Sequence, residues 1–544
     1  MASVAPRFTL REAPREARTQ RFQLGMRHAV ALLVSVIYVA VAVVLVGWLH
    51  LPSVEAVGRG THLALLFGGP APSALAFDLA RPPLLSALAL PFAAVPALRD
   101  HGLAVAIGTA MTGGIGVLVT AGIARWAAMG RTTTVLFVAA FALHPLLVYS
   151  GAVGLPEALY ATVVLGGFGQ VLRWLRREDT AAVIGAGAWM GLAVLIRYDS
   201  VWVTLAMAWL LYRVAQRRGG LVDGRDSAQA TLAAFLTPVV FTTGFWGLIT
   251  WIVTGSGSDM VTLAARLSGF AGTDPAFLKT MEGMRANVPA IAQWMAEPLA
   301  LIALPSLLAV LALVGNGLIR RRSEPSQLAV ALTAIALPPV VGLLTGQAQP
   351  HVPHLFALVV PAFVALAYFA SRTRSEEESL LDRRARRHRS RLAGVTLALL
   401  LASFGSAVAI PALPAADPPG ERVVAAIRSR APAQAPDDVR RTARWLVENA
   451  GPGEVVADAE RAAPVIMESG RYDLFRTPVS NRGEAIAFDP FNFAKFLLLP
   501  RPVPGSDDDL VQRAHPGLFT QGAPYATLAF EAGNYRVFRI STVR

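Results

Sequence analysis

Glu55, Arg81, Glu157 and Arg197 are charged positions in an otherwise oily chain, and their types suit acid–base work beside an anion. A carboxylate can take a proton from a nucleophile or hold a divalent ion. A guanidinium is a fork-shaped donor to phosphate oxygens. Carboxylates are costly inside a bilayer and gather at its interface or in polar cavities, so Glu55, just after the first apolar run, asks for an explanation. Each residue alone has an ordinary one. Glu55 can face interfacial water, Arg81 and Arg197 can snorkel to the headgroups, and Glu157 can form a structural ion pair. The topology counted below places all four at the same membrane face, which is the layout of an active site.

The elements that position them are membrane helices. At 544 residues with 54% hydrophobic and 16% charged content and a mean hydropathy of +0.49, the chain is too apolar for a soluble protein. The net charge of +13 is carried by arginine, with Lys279 and Lys495 the only lysines, in short segments between apolar stretches. That distribution fits the positive-inside bias of membrane proteins and makes nucleic-acid binding an unneeded explanation. Cysteine is absent, which excludes thiol catalysis, thiolate metal sites and disulfides. The Ala, Arg and Gly bias is that of a GC-rich bacterial genome.

Residues 1–27 are an arginine-rich tail before an apolar run at Ala29–Leu49 that is too long for a cleaved signal and lacks a small-x-small site, so it reads as an uncleaved first span with a cytoplasmic tail. Basic loops at Arg173–Arg177, Arg213–Arg225, Arg320–Arg322 and Ser371–Arg391 are assigned to the cytoplasm. Spans are then expected near 181–196 and 200–214, hinged outward at Arg197, Tyr198 and Asp199. Further spans follow near 230–253, 298–319, 326–347, 352–370 and 392–411, with an outer loop from Gly255 to Glu297. Parity requires Pro82–Leu98, with Pro82, Pro83, Pro91 and Pro96, not to cross. Residues 51–101 therefore read as an outer loop of juxtamembrane helices, and the total is about eleven spans. No internal repeat of the transporter kind is evident.

After Pro411 the composition changes, and residues 412–544 read as a small α/β domain on the outer face. Asp437 or Asp438 is expected to cap a helix stopped by Gly451 and Pro452, Glu454–Asp458 to form a strand, residues 460–469 a helix ended by Gly470, and Thr527–Ile540 a hairpin turning near Gly533. No Gly-rich loop follows a strand there, so nucleotide binding is unsupported. His144 reads as a satisfied core histidine, and His28, His101 and His351 form no metal-spaced set.

The order of short motifs carries more than any one of them. Glu55-Ala-Val-Gly-Arg59 is followed by Arg81-Pro-Pro-Leu84, then by Pro145, Ser150 and Glu157, then by Gly187 and Gly191 leading to Arg197. This succession resembles the GT-C superfamily of membrane glycosyltransferases that use polyprenyl-phosphate sugars, similar to the protein mannosyltransferase and aminoarabinose transferase group. In that family an acidic residue follows the first span and a Lys/His-Pro-Pro-Leu element closes the first outer loop. A second acidic residue follows a proline-broken span, and an arginine ends a Gly-rich one. His354, seven residues before Pro361, is similar to the family's Arg-Tyr element. Two positions depart: Glu55 stands where Asp is usual, and His354 where Arg is usual. The resemblance spans most of residues 28–370 and continues into the outer domain.

What the resemblance implies is a mainly α, polytopic membrane glycosyltransferase with a small α/β extracytoplasmic domain, in a bacterial inner membrane. It would move a sugar from a polyprenyl-phosphate donor to an envelope glycan, lipid or protein, by inverting displacement with lipid phosphate leaving. Glu55 is then the catalytic carboxylate, with Asp78 as the rival, whose other reading is a loop or capping residue. Arg81, Arg197 and His354 hold the donor phosphate. Glu157, Arg59 and Asp199 align the acceptor or organise the site. No nucleotide cofactor is expected; a divalent metal is allowed, though no ligand cluster asks for one. Expected partners are the lipid-linked sugar, the acceptor and membrane lipids, with Arg383–Arg391 meeting anionic headgroups. Two other functions stay open. A transporter or flippase of a lipid-linked saccharide predicts polar residues across the midplane, and a scaffold with an outer binding domain predicts indifference to Glu55→Ala and Arg197→Ala.

Overall fold

The computed structural model describes residues 13–70, 77, 81–254, 288–338, 352–377, 391, 393–402, 405, 428–429, 431–477, 490, 494–502 and 509–541. Helices stand at the described parts of the expected spans; those expected near 326–347 and 392–411 run on beyond the described residues. Helix α1 (Ala13–Ala42) continues through a π-helical turn, Val43–Trp48. The first loop holds α2 (Val54–Gly68) and α3 (Leu84–Ala93), the latter short and interrupted by Pro91. Then come α4 (Leu103–Ala110), α5 (Thr112–Trp126), α6 (Arg131–Ala142) and α7 (Pro145–Val153). The last two meet at a 42° bend because His144, which precedes Pro145, is forced out of the helical region to φ −60°, ψ 120°. His144 is buried, and its Nδ1 has no hydrogen-bond partner among the described residues, which corrects the expectation of a satisfied core histidine.

The chain continues through α8 (Glu157–Arg177), α9 (Thr180–Ile196), α10 (Val201–Arg218), α11 (Gly220–Thr254), α12 (Val288–Ile319) and α13 (Ser323–Thr333). A 3-10 segment, Val352–Val359, leads into α14 (Val360–Glu377), and a short apolar helix, α15, occupies Ala393–Ala402. Among the described residues six helices are long and apolar enough to cross a membrane, and seven if the bent pair is one span. The protein is a multi-pass membrane protein. Helix α12 is described from Val288, inside the expected outer loop.

Burial sorts the helices. Those at Glu157–Arg177 and Leu355–Arg372 are almost wholly enclosed, whereas α11 and α12 leave most of their apolar surface bare, as lipid-facing helices do. Helix α9 packs closely on α11 through Gly187 and Gly191, one turn apart. A Cβ at Gly187 would lie 2.1 Å from the Phe235 carbonyl oxygen, and one at Gly191 3.0 Å from Thr242 Oγ1. That contact fixes the end of α9, where Arg197 stands.

The C-terminal region is a five-stranded sheet with flanking helices α16 (Asp437–Asn449), α17 (Ala463–Ser469), α18 (Leu510–Ala514) and α19 (Leu518–Gln521). Strands β1 (Val455–Ala457), β2 (Phe475–Arg476), β3 (Phe496–Pro500), β4 (Ala526–Ala532) and β5 (Tyr535–Ile540) lie in the order β2-β1-β3-β5-β4. β1 pairs in parallel with β2 and β3, and β5 is antiparallel to β3 and β4. The hairpin closes over Gly533 and Asn534, with Gly533 at φ +53° as such tight turns require. Strands β2 and β3 were not foreseen. Neither Asp437 nor Asp438 is the cap of α16, whose N-cap is Pro436. Asp438 instead spends its carboxylate on Val439 N, 2.9 Å, and on Asn534 N of the hairpin turn, 3.2 Å.

Helix α2 joins the two regions. Its Ala64 and Leu65 belong to the same buried cluster as Leu446, Val455, Ile466 and Leu498 of the sheet region. Ala433 N donates to Leu49 O at 2.8 Å, and Tyr472 Oη donates to Asp100 Oδ1 at 3.4 Å.

Candidate active site

Ser53 caps α2, its hydroxyl accepting from Ala56 N at 3.0 Å, so Glu55 falls in the first helical turn, where the unpaired N–H groups and the helix dipole favour a negative charge. Arg59, one turn on, donates its Nε to Glu55 Oε1 at 2.7 Å. Its Nη1 donates to Pro82 O and Ser86 Oγ, both at 2.9 Å, which ties the Arg-Pro-Pro-Leu element to α2. Arg81 reaches back with Nη1 to Glu55 Oε2 at 3.3 Å. Gly58 provides the seat: a Cβ there would lie 2.8 Å from both Nη atoms of Arg81. Burial works against the Glu55 carboxylate, but Arg81 and Arg59 outweigh it and hold its pKa below the ordinary range.

A further carboxylate comes from the sheet region. Glu460, in the loop between β1 and α17, pairs through Oε2 with Arg81 Nη2, and through Oε1 with His62 Nε2 at 3.2 Å. Burial opposes its charge, yet Arg81 and then His62 outweigh that and hold its pKa well below the usual range. The loop is set by Asp458, whose Oδ1 accepts from Glu460 N at 2.9 Å and Arg461 N at 3.0 Å, and whose Oδ2 accepts from Leu510 N at 3.2 Å.

Glu157 opens α8 and is buried; Arg197 ends α9 in extended conformation, φ −148°, ψ 121°. Arg197 Nη1 lies 3.5 Å from Glu157 Oε1, while Nε and Nη2 grip Asp199 at 3.1 and 2.6 Å. Its guanidinium also stands 5.3 Å from the ring centre of Tyr160. The two groups lie at one end of the helix bundle. Ser53 N donates to Val153 O at 3.0 Å, and the turn before α8 passes against Ala56 at Gly154, which holds φ +84° and has no room for a side chain.

Glu55, Arg59 and Arg81 thus come together, and so do Glu157, Arg197 and Asp199. Asp78 lies outside the described residues. His354 falls in the Val352–Val359 segment, and its side chain lies outside the description. Sequence reasoning missed His62 and Glu460. His62 had a legible signal, since Glu55, Arg59 and His62 are spaced i, i+4, i+7 on one helix face. Glu460 had none, standing 379 residues from Arg81.

No family model matches the sequence, and no curated protein matches it. Among solved structures, ArnT from Cupriavidus metallidurans bound to undecaprenyl phosphate matches with a TM-score of 0.50 at 12% identity, over 96% of this chain and 98% of that one. The chain shares the fold of ArnT. The apo state of ArnT gives a TM-score of 0.49 at 12% identity, with the same coverage. The oligosaccharyltransferase AglB from Archaeoglobus fulgidus, in complex with an inhibitory peptide and a dolichol-phosphate, gives 0.42 at 14% identity, over 86% of this chain and 69% of that one.

Within this fold the first group suits an anion better than a metal. Both oxygens of Glu55 face guanidinium groups, a setting that repels a divalent cation, and no group of three or more metal-ligating side chains occurs among the described residues. The arrangement offers an ionised carboxylate beside two cations, able to accept a proton and to stabilise negative charge.

Proposed function

We propose that the protein is a membrane glycosyltransferase that takes a sugar from a polyprenyl-phosphate donor and places it on an acceptor hydroxyl at the extracytoplasmic face of a bacterial inner membrane. One observation carries this: Arg81 of the Arg-Pro-Pro-Leu element and Glu55, 26 residues apart, meet at 3.3 Å in a chain that shares the fold of ArnT. The acceptor oxygen bonds to the anomeric carbon while the bond from that carbon to the donor phosphate oxygen breaks, with inversion. The electron pair leaves with the polyprenyl phosphate, and Glu55 takes the acceptor proton. Arg81 stabilises the charge growing on the phosphate, with Arg197 and His354 as further cations. Arg59 braces Glu55 against α3, and Glu157 and Asp199 hold Arg197.

The depressed pKa of Glu55 has a mechanistic use. When the departing phosphate draws Arg81 to itself, Glu55 loses a cation that kept it a weak base and accepts the proton more readily. The test is transfer by the purified full-length protein from a panel of polyprenyl-phosphate sugars to envelope acceptors, with Glu55→Ala as control. Transfer that Glu55→Ala abolishes supports the proposal; transfer equally fast in Glu55→Ala, or none from any donor by folded protein, overturns it.

A further inference from the structure

Arg81, the cation assigned above to the donor phosphate, is already engaged by an anion from a distant part of the chain. Its Nη2 edge faces Glu460, while Nη1 faces Glu55. Both side chains of the Arg81–Glu460 pair are largely withdrawn from solvent. An ion pair of that kind contributes little net stability because desolvation offsets the attraction. A carboxylate and a phosphate oxygen are also alternative acceptors for the same guanidinium edge, and two anions on one edge repel.

Three features make Glu460 a replaceable occupant. It is carried on a turn fixed by Asp458, so it is presented to Arg81 at a defined place. It has a second partner in His62 of α2, which stays available when Arg81 turns away. And the sheet region stays joined to α2 without it, through the buried cluster that Ala64 and Leu65 share with Ile466 and through the long contact from Thr61 Oγ1 to Ala463 O, 3.5 Å.

We propose that Glu460 is a placeholder anion of the donor site: it holds the Nη2 edge of Arg81 until a polyprenyl phosphate takes that edge, and its release frees the β1–α17 loop while the buried packing of α2 on the sheet region stays in place. This rests on Arg81 being the donor-phosphate cation. Donor binding and the Arg81–Glu460 pair are then mutually exclusive, so the outer domain senses whether a carrier is present. Glu460→Gln removes the competing charge and keeps an acceptor of similar shape.

The experiment measures binding of undecaprenyl phosphate to the full-length protein in detergent, for the wild type, Glu460→Gln and Arg81→Gln. Because the chain has no cysteine, Arg461→Cys in the otherwise unchanged protein also reports exposure of this loop by its rate of maleimide labelling. Glu460→Gln is expected to tighten binding about fivefold or more, the low end of ordinary coupling between sites, and the lipid to accelerate labelling at position 461. Unchanged or weaker binding in Glu460→Gln, or labelling indifferent to the lipid, overturns the placeholder role while a loss of binding in Arg81→Gln keeps Arg81 as the phosphate cation. Binding in Arg81→Gln equal to wild type removes both.

Discussion

The Glu55 group and the Glu157 group use the same chemical types and are built in opposite ways. Glu157 comes from the start of α8, and Arg197 and Asp199 from the turn that ends α9; Glu157 and Arg197 are 40 residues apart, and Arg197 is gripped from two sides. The Glu55 group gathers α2, the turn before α3 and a loop of the sheet region 379 residues away from Arg81. A locally built group is a fixed part of the bundle. A group assembled across two regions can exchange partners, and in the proposed reaction it is the part that must.

The sharpest way to break this contrast is at Glu55. Glu55→Gln keeps the shape and loses the base, so kcat for sugar transfer is expected to fall about 10³-fold, within the usual range for a positioned general base, with the melting temperature little changed. A fall below tenfold in a transfer assay gives the proton to another group. At the fixed group an effect on stability is expected beside the loss of a phosphate cation. Arg197→Ala strips a cation from the buried Glu157 and is expected to cost about 3 kcal/mol in thermal or denaturant unfolding. The double variant with Glu157→Gln should recover much of it, and no recovery means the pair does not act as a unit.

A smaller effect sharpens the picture of Arg81. Gly58→Ala places a methyl group against the guanidinium, whose flexible end can move aside, so folding is expected to be nearly unaffected while KM for the donor rises about tenfold, the kinetic equivalent of ~1.4 kcal/mol. Equal kinetics would show that Arg81 does not need that seat. The smallest effect lies in the sheet region. Burial, and then the charge of Asp458, push the Asp509 carboxyl up to about 7 from an ordinary value of 3.8. The folded state then keeps a proton that the unfolded chain releases, so this group's contribution is complete below about pH 4 and is lost as pH rises through about 7. Asp509→Asn should raise the melting temperature by about 2–4 °C at pH 8 and by almost nothing at pH 4. The opposite pH order would show the group ionised in the folded protein.

How much was legible follows from the range of each interaction. Apolar length sufficed to place most of the helices, because bilayer thickness acts on contiguous sequence. The Glu55–Arg59 pair and the Arg197 hinge were readable for the same reason: their partners lie within a turn or a single helix junction. Strand β3, Phe496–Pro500, reads as one more apolar run in a chain full of them, and β2 is too short to carry an alternation. Asp438 looked like a cap and is held by the hairpin at Asn534, since a carboxylate serves whichever N–H groups the tertiary fold brings. Glu460 was invisible, because nothing in residues 455–465 says that an arginine from the first loop will meet them.

Because α2 shares its buried cluster with the sheet, the two bodies have no clean seam between them. Cutting the chain after the last membrane helix would leave the liberated sheet fragment with an apolar trench where Ala64 and Leu65 had been, and the membrane part with a greasy ridge facing water. Each half would need the other's covering to stay dispersed, so production of the sheet fragment by itself should yield aggregates unless a peptide matching α2 is supplied with it.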